Sequence, residues 1–315
     1  VFTRDDLQTL GDGSTPLALV TPDPARIDAA LVEALVAEQF PMWAHLPVRP
    51  VAESGWDNRT FRLGDSMAAR LPRAAEYEEG IRREQRWLPH LRSHLSLPVP
   101  ELLAVGRPGR GYPWVWSVHR WIPGASAADR GPSENQAFVQ SLGAFLNSLR
   151  AAPAENGPVP GPGNFYRGGS LAVYEPQFRK AMDALDGRIN VAAAVSAWES
   201  GASAHWTGPP VWVHGDIALG NLLLAKGKLA AVIDFGQVSV GDPACDLAIA
   251  WTYLRGPHRQ AFRERLALDP GTWARGRAWA LWKAAVVAAG LTETTAVEGK
   301  CCWSTIQEVV SDVAR

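Results

Sequence analysis

The segment from Val211 to Gly236, V-W-V-H-G-D-I-A-L-G-N-L-L-L-A-K-G-K-L-A-A-V-I-D-F-G, constrains this chain more than any other. Val211-Trp212-Val213 reads as a buried strand that ends on His214-Gly215-Asp216. Asn221 opens a second apolar strand, Leu222 to Ala225. Lys226-Gly227-Lys228 turns the chain, and Leu229 to Ile233 returns to Asp234. The stretch from Val211 to Phe235 is therefore expected as a compact β-hairpin. With its turn centred on Gly227, Asn221 falls opposite Ile233, within side-chain reach of Asp234. Asp216 enters the same end from the preceding loop. Two carboxylates and an amide oxygen then converge, all hard donors of the kind Mg²⁺ prefers.

Taken singly, Asp-Phe-Gly and His-Gly-Asp are ordinary turn compositions. In this order and spacing they resemble the catalytic and metal-binding segments of the protein-kinase-like fold. His-Gly-Asp in place of His-Arg-Asp is similar to the aminoglycoside phosphotransferase family of small-molecule kinases. The resemblance covers roughly residues 25 to 285. It implies an α+β, bilobal protein-kinase-like fold, with a small antiparallel-sheet N-lobe and a larger helical C-lobe. It also implies that Asp216 is the base that accepts the substrate hydroxyl proton, that Asn221 and Asp234 hold Mg²⁺, and that ATP or GTP is the phosphoryl donor. Such chemistry needs positioning and charge neutralisation more than covalent participation.

In Gly241-Asp242-Pro243-Ala244-Cys245-Asp246, Asp242 reads as a helix N-cap with Pro243 behind it and Asp246 in the first turn. By the resemblance, Asp246 braces the catalytic loop, and His214 belongs to the same supporting layer. The short interval between Asp234 and Asp242 has no room for an activation segment, which argues against a protein substrate.

The organisation agrees with two lobes. Residues 24 to 40 carry Ile27, Leu31, Leu35 and Val36 at helical spacing, with Pro24 at a first-turn position. VRPVAES, RTFRLG and MAARLP read as an antiparallel meander, followed by a helix over residues 75 to 88. ELLAVG and YPWVWSVHRWI are two further strands. Beyond Pro123-Gly124 the chain is mostly helical, apart from a Pro/Gly-rich loop from Pro153 to Gly169 and the hairpin. The division falls at residues 1–118, the nucleotide-binding lobe, and 119–315, the hinge and catalytic lobe.

Phosphates need cations, and here composition enters. Of 31 basic residues only five are lysine, and none precedes Lys180. Where the kinase pattern has a lysine, the third strand offers Arg70, which can clamp a phosphate through two hydrogen bonds. Tyr77, Ile81, Glu84 and Leu88 share one helix stripe, so Glu84 is expected inside it, paired with Arg70 because a buried carboxylate is costly alone. Ser54 in Ser54-Gly55-Trp56-Asp57-Asn58 lies in the turn expected to cover the phosphates. Trp116 to Gly124 aligns with the family's hinge: Arg120, Trp121 and Ile122 then pair with the purine through their backbone, and His119 lines the back of the pocket. From the residues alone this is strand plus turn, with His119 a core histidine.

A net charge of −1 leaves no basic excess for nucleic acid. Three cysteines make no disulfide framework, and there is neither a signal-peptide pattern nor an apolar span. The expectation is a cytoplasmic enzyme with a nucleotide and a small-molecule acceptor as partners, no nucleic acid, no membrane and no obligate protein partner. The acceptor is expected to be an antibiotic of the aminoglycoside or macrolide kind. A metabolic kinase of choline-like or sugar-like substrates, and a nucleotide-binding protein without catalysis, are the alternatives. Glu175, Asp183, Asp186, Glu199, Glu308 and Asp312 are candidate carboxylates for a cationic acceptor, or plain surface charges. Trp251, Tyr253, Trp279, Trp282 and Trp303 are pocket walls or core.

Overall fold

The computed structural model describes residues 27–51, 55, 57–130, 135–292, 294 and 296–313. Pro24 and Ser54 lie outside the described residues. Helix α1 (Ala29–Gln39) starts later than the spacing predicts, because Asp28 caps it by accepting the Leu31 N–H at 2.8 Å. It buries Val32, Leu35 and Val36.

Five antiparallel strands follow, β1 (Val48–Pro50), β2 (Asn58–Leu63), β3 (Met67–Pro72), and, after helix α2 (Ala75–Leu91), β4 (Leu102–Gly106) and β5 (Trp116–Arg120). Their order across the sheet is β1-β2-β3-β5-β4. Side chains alternate across a strand. On one face Phe61, Leu63, Ala69, Leu71, Trp116 and Val118 form a core with α1. The other face presents Arg70 opposite Ser117 and Ala68 opposite His119, and α2 packs against it. The strand expected over YPWVWSVHRWI is shorter, since Tyr112 instead pairs with Gly109 in a tight turn. Gly106 is required where β4 meets β5: a Cβ there would sit 1.9 Å from the Trp116 indole.

The larger part of the chain contains β6 (Ala125–Ser126), α3 (Gln136–Ala151), α4 (Glu175–Ala184), α5 (Val191–Ala202), β7 (Val211–Val213), β8 (Leu222–Ala225), β9 (Lys228–Val232), β10 (Ser239–Gly241), α6 (Gly256–Leu266), α7 (Pro270–Ala288) and α8 (Ala296–Val313). One expectation needs correcting. The hairpin is β8–β9 alone, joined by β6, whereas β7 pairs with β10 in a separate two-stranded sheet. The reason is local: Asp234 adopts φ +67, so the chain reverses after β9 and brings Ser239–Gly241 back along Val211–Val213.

Trp198, Trp212, Trp282, Phe145 and Phe178 are fully enclosed in the second core, each contributing about 1.5–3 kcal/mol by burial. Trp251, Tyr253, Trp279 and Trp282 are core residues rather than pocket walls, and Trp303 packs at the core's margin. Helix α7 is buried along most of its length, and Lys283 interrupts its apolar run. No helix among the described residues is long and apolar enough to cross a membrane.

Candidate active site

His214-Gly215-Asp216 leaves β7 on a loop held from behind. The Asp246 carboxylate accepts the His214 and Gly215 backbone N–H groups, each at 2.8 Å. His214 Nδ1 accepts the Asp216 N–H at 3.2 Å, so Nε2 carries the ring hydrogen and donates to the Ile233 carbonyl at 3.1 Å. His214 thus ties the loop to the end of β9. Gly215 has φ +84, and a Cβ there would come within 2.6 Å of the Gln237 carbonyl. No other residue type meets both demands.

Asp216 is one-quarter exposed, and its two carboxylate oxygens have different neighbours. Asn221 Nδ2 donates to Oδ2 and to the Asp216 carbonyl, both at 2.9 Å. Lys283 Nζ lies 3.4 Å from Oδ1. Burial by itself raises a carboxylate pKa, but Lys283 and then Arg167 outweigh it and hold Asp216 down at about 2. The group is ionised at neutral pH. The sequence read Asn221 opposite Ile233, and the Ile233 N–H does donate to the Asn221 carbonyl at 2.9 Å. Its amide nitrogen is turned to Asp216.

Asp234 sits in the left-handed region, uncommon for a residue with a side chain and costly outside constrained sites. Its Oδ1 accepts from Arg70 Nη2 at 3.1 Å. Burial pushes its pKa up; Arg70 opposes that, while Glu84 and Asp216 add to it. Arg70 Nη1 binds Glu84 Oε1 at 2.7 Å and Oε2 at 2.6 Å. Glu84, only 1% exposed, also accepts the Phe235 N–H at 2.7 Å. Arg70 therefore joins the sheet, α2 and the Asp-Phe-Gly turn.

Two groups nearby went unnamed as site residues in the sequence. Asp57, in the turn before β2, lines the same cleft as Glu84, Asp234, Phe165 and Gln237. Burial, with Asp234 and Asp216, pushes its pKa up to about 7. Lys283, distant in sequence, reaches Asp216 from α7. In the sequence it stands only as the one lysine of a helix that also carries Arg275 and Arg277.

His119 is a core histidine, 2% exposed, yet neither ring nitrogen has a hydrogen-bond partner among the described residues. Burial, reinforced by Arg70, pushes its pKa down to about 3. In the expected hinge, the Arg120 N–H donates to the Glu101 carbonyl and the Trp121 N–H to Ser66, both at 2.8 Å. Those two donors are already used within the protein. Of the three, Ile122 keeps its N–H without a partner among the described residues.

Among the described residues, no three His, Cys, Asp or Glu side chains stand together as a metal cage. A cation at Asp234 and Asn221 must complete its shell with water and ligand oxygens. Mg²⁺ does so when it binds phosphates, so the donor set fits it.

A protein-kinase-like fold with this loop and turn defines a class, and sequence comparison gives its membership. The chain belongs to the phosphotransferase enzyme family, whose model matches residues 48–279. It is 30% identical over 159 residues to an aminoglycoside 3'-phosphotransferase of Escherichia coli, covering 48% of this chain and 57% of that relative. The chain thus spans little more than half the length of that relative. It is 22% identical over 232 residues to a hygromycin-B 4-O-kinase of Escherichia coli, covering 70% of this chain and 66% of that one. Among solved structures, the GDP complex of aminoglycoside 2'-phosphotransferase-IIIa superposes with TM-score 0.67 at 14% identity, over 90% of this chain and 99% of that one. Macrolide 2'-phosphotransferase MphH from Brachybacterium faecium gives 0.58 at 22% identity, over 89% and 97%. These likenesses show the shared fold.

Proposed function

We propose that this chain transfers the γ-phosphoryl group of ATP or GTP to a hydroxyl of a small molecule. Antibiotics of the aminoglycoside or macrolide kind are the acceptors that the relatives' names bring forward. The observation that carries the reading is Asp216 itself: an ionised, partly exposed carboxylate on a loop braced by Asp246, with one oxygen held by Asn221.

Asp216 accepts the acceptor's proton at Oδ1 or Oδ2 as the hydroxyl attacks, and Asn221 fixes the carboxylate's orientation. Asp234 and Asn221 would hold Mg²⁺, which when bound neutralises phosphate charge. Arg70, steadied by Glu84, presents its remaining donor capacity to the phosphates, and Ser54 is assigned to the same nucleotide-binding set. The Ile122 N–H pairs with the purine, Arg120 and Trp121 shape the hinge around it, and His119 backs the pocket. We assign residues 1–118 to the nucleotide-binding lobe and 119–315 to the hinge and catalytic lobe. The three unpaired cysteines suit a reducing, cytoplasmic compartment.

One observation favours the second reading, a sugar-like metabolic acceptor. Glu175 and Glu199 are paired with Arg179, and Glu308 and Asp312 with Arg255, Arg259 and Arg277. Those carboxylates are not free for a polycation, and Asp183 and Asp186 face solvent. A screen of the protein with Mg²⁺-ATP and Mg²⁺-GTP against antibiotics and metabolites, reading phosphorylated product, tests the assignment. Phosphorylated product from a small molecule supports it; nucleotide binding without transfer to any member counts against it.

A further inference from the structure

We propose that Arg83 is a positioning residue for Asp234: from helix α2 it fixes the Asp-Phe-Gly turn, and through the turn it sets the affinity for Mg²⁺. The metal half rests on the phosphotransferase reading above; the hold on the turn does not.

Asp234 needs holding. Its φ of +67 is a conformation that a residue with a side chain keeps only where its surroundings over-determine it. Residues 233–238 belong to no helix or strand, so the ladder of β9 ends before them. Side chains hold the segment instead. His214 donates to the Ile233 carbonyl, Arg70 donates to Asp234 Oδ1, and Glu84 accepts the Phe235 N–H. Arg83 completes the series, because its Nη1 donates to the Gly236 carbonyl. Four consecutive residues thus each have an anchor, and three of the anchors come from β3 and α2.

Helix geometry lets Arg83 and Glu84 act together. Gly80, Arg83 and Glu84 stand at i, i+3 and i+4, on one face of α2. Gly80 lays that face against the turn, where a Cβ would be 3.5 Å from the Gly236 carbonyl oxygen. Glu84 then takes an N–H, and Arg83 gives a donor to a C=O one residue further on. The two grips lie on either side of the Phe235–Gly236 peptide and oppose its rotation.

Arg83 is 7% exposed, whereas its ion-pair partner Glu79, at 2.8 Å, is 64% exposed. An i,i+4 pair with one member in water contributes little and does not account for a buried guanidinium. The contact that draws it inward is the charge-assisted hydrogen bond to Gly236. That contact is with backbone behind Asp234, so any effect on a metal passes through the placing of the Asp234 carboxylate. Removing such an outer support of a metal ligand costs about 10- to 10²-fold in metal affinity.

Two measurements on the full chain test the proposal. Amide hydrogen exchange, read by mass spectrometry on peptides spanning residues 233–238, follows the turn without any ligand. Calorimetric titration with non-hydrolysable analogues of ATP and GTP, in Mg²⁺ and in chelator, gives the Mg²⁺-dependent gain in affinity. Arg83→Met should speed exchange in that segment and cut the gain roughly 10-fold, with affinity in chelator nearly unchanged. Arg83→Lys keeps a charged donor and should restore most of both. Glu79→Gln removes the ion pair but leaves the carbonyl contact, so both readouts should stay at wild type. Melting temperatures show which variants fold. Should Arg83→Met not fold, Arg83→Gln, milder but likewise without the charge, is read in its place with the same expected direction.

Wild-type exchange in the uncharged variant, or equal losses in Mg²⁺ and in chelator, would overturn the proposal. So would Glu79→Gln matching that variant. A wild-type chain whose nucleotide affinity ignores Mg²⁺ would refute the metal reading instead, and the exchange rates would still decide the hold on the turn.

Discussion

Arg70 on β3 grips Glu84 on α2 through a single terminal nitrogen, at 2.7 and 2.6 Å from the two carboxylate oxygens, and leaves its second terminal nitrogen to Asp234. The pair is buried, with side-chain exposures of 13% and 1%. Removing one partner of a buried ion pair leaves the other charged and desolvated, at a cost of about 3–5 kcal/mol. Arg70→Met should therefore lower the urea midpoint sharply, and Arg70→Met combined with Glu84→Leu should recover part of the loss. A single variant as stable as wild type would contradict the coupling.

Asp234→Ala removes a carboxylate proposed to hold Mg²⁺. Nucleotide affinity measured with Mg²⁺ should fall at least ~10-fold, while affinity in chelator should change little. Equal loss under both conditions would point to a structural role, since Asp234 also anchors Arg70.

Asp246→Asn tests the loop's support. One amide oxygen replaces two carboxylate oxygens that now accept the His214 and Gly215 N–H groups. A loosened loop misplaces Asp216, so turnover should drop roughly 10- to 10²-fold with nucleotide affinity nearly unchanged. A loss confined to nucleotide affinity would place Asp246 elsewhere in the mechanism.

The pH dependence of stability contains two opposed contributions. Folding lowers the His119 pKa from 6.5 to about 3. Between those values the unfolded chain binds a proton that the folded chain does not. That contribution is complete above pH 6.5 and is lost as pH falls toward 3, by roughly 1.4 kcal/mol per pH unit at most. Asp57 acts in the other direction. Its pKa rises from 3.8 to about 7, so its contribution is present below 3.8 and is lost as pH rises through 7. His119→Phe should therefore flatten the gain in unfolding free energy between pH 4 and 6.5 relative to wild type, and Asp57→Asn should steepen it. Parallel curves for all three proteins would contradict both assignments.

Local pattern accounts for what the sequence revealed. The helix stripe of α2 carried Glu84 to Arg70, and Asn221 does lie opposite Ile233, but the turn is the pair Lys226-Gly227 and a bulge between Leu223 and Leu224, which the pattern did not show, supplies the one-residue shift. What escaped depends on contacts between distant segments. The pairing of β7 with β10 follows from the reversal at Asp234, a backbone conformation that no residue type announces. Lys283 meets Asp216 across 67 residues, so the lysine count excluded a lysine from the first 179 residues without indicating one beside Asp216. In the hinge, the sheet's own hydrogen bonds to Glu101 and Ser66 narrowed three expected donors to Ile122.

The central claim is that Asp216 is the base for phosphoryl transfer to a small-molecule hydroxyl. Its most direct test is the rate of product formation by Asp216→Asn beside wild type, with the best acceptor from the screen and saturating Mg²⁺-nucleotide. The substitution keeps the side chain's shape and removes its charge. Turnover should fall by ~10²–10⁴ while nucleotide affinity holds, the range expected for losing a positioned base. Asp216→Asn turning over at the wild-type rate would contradict it.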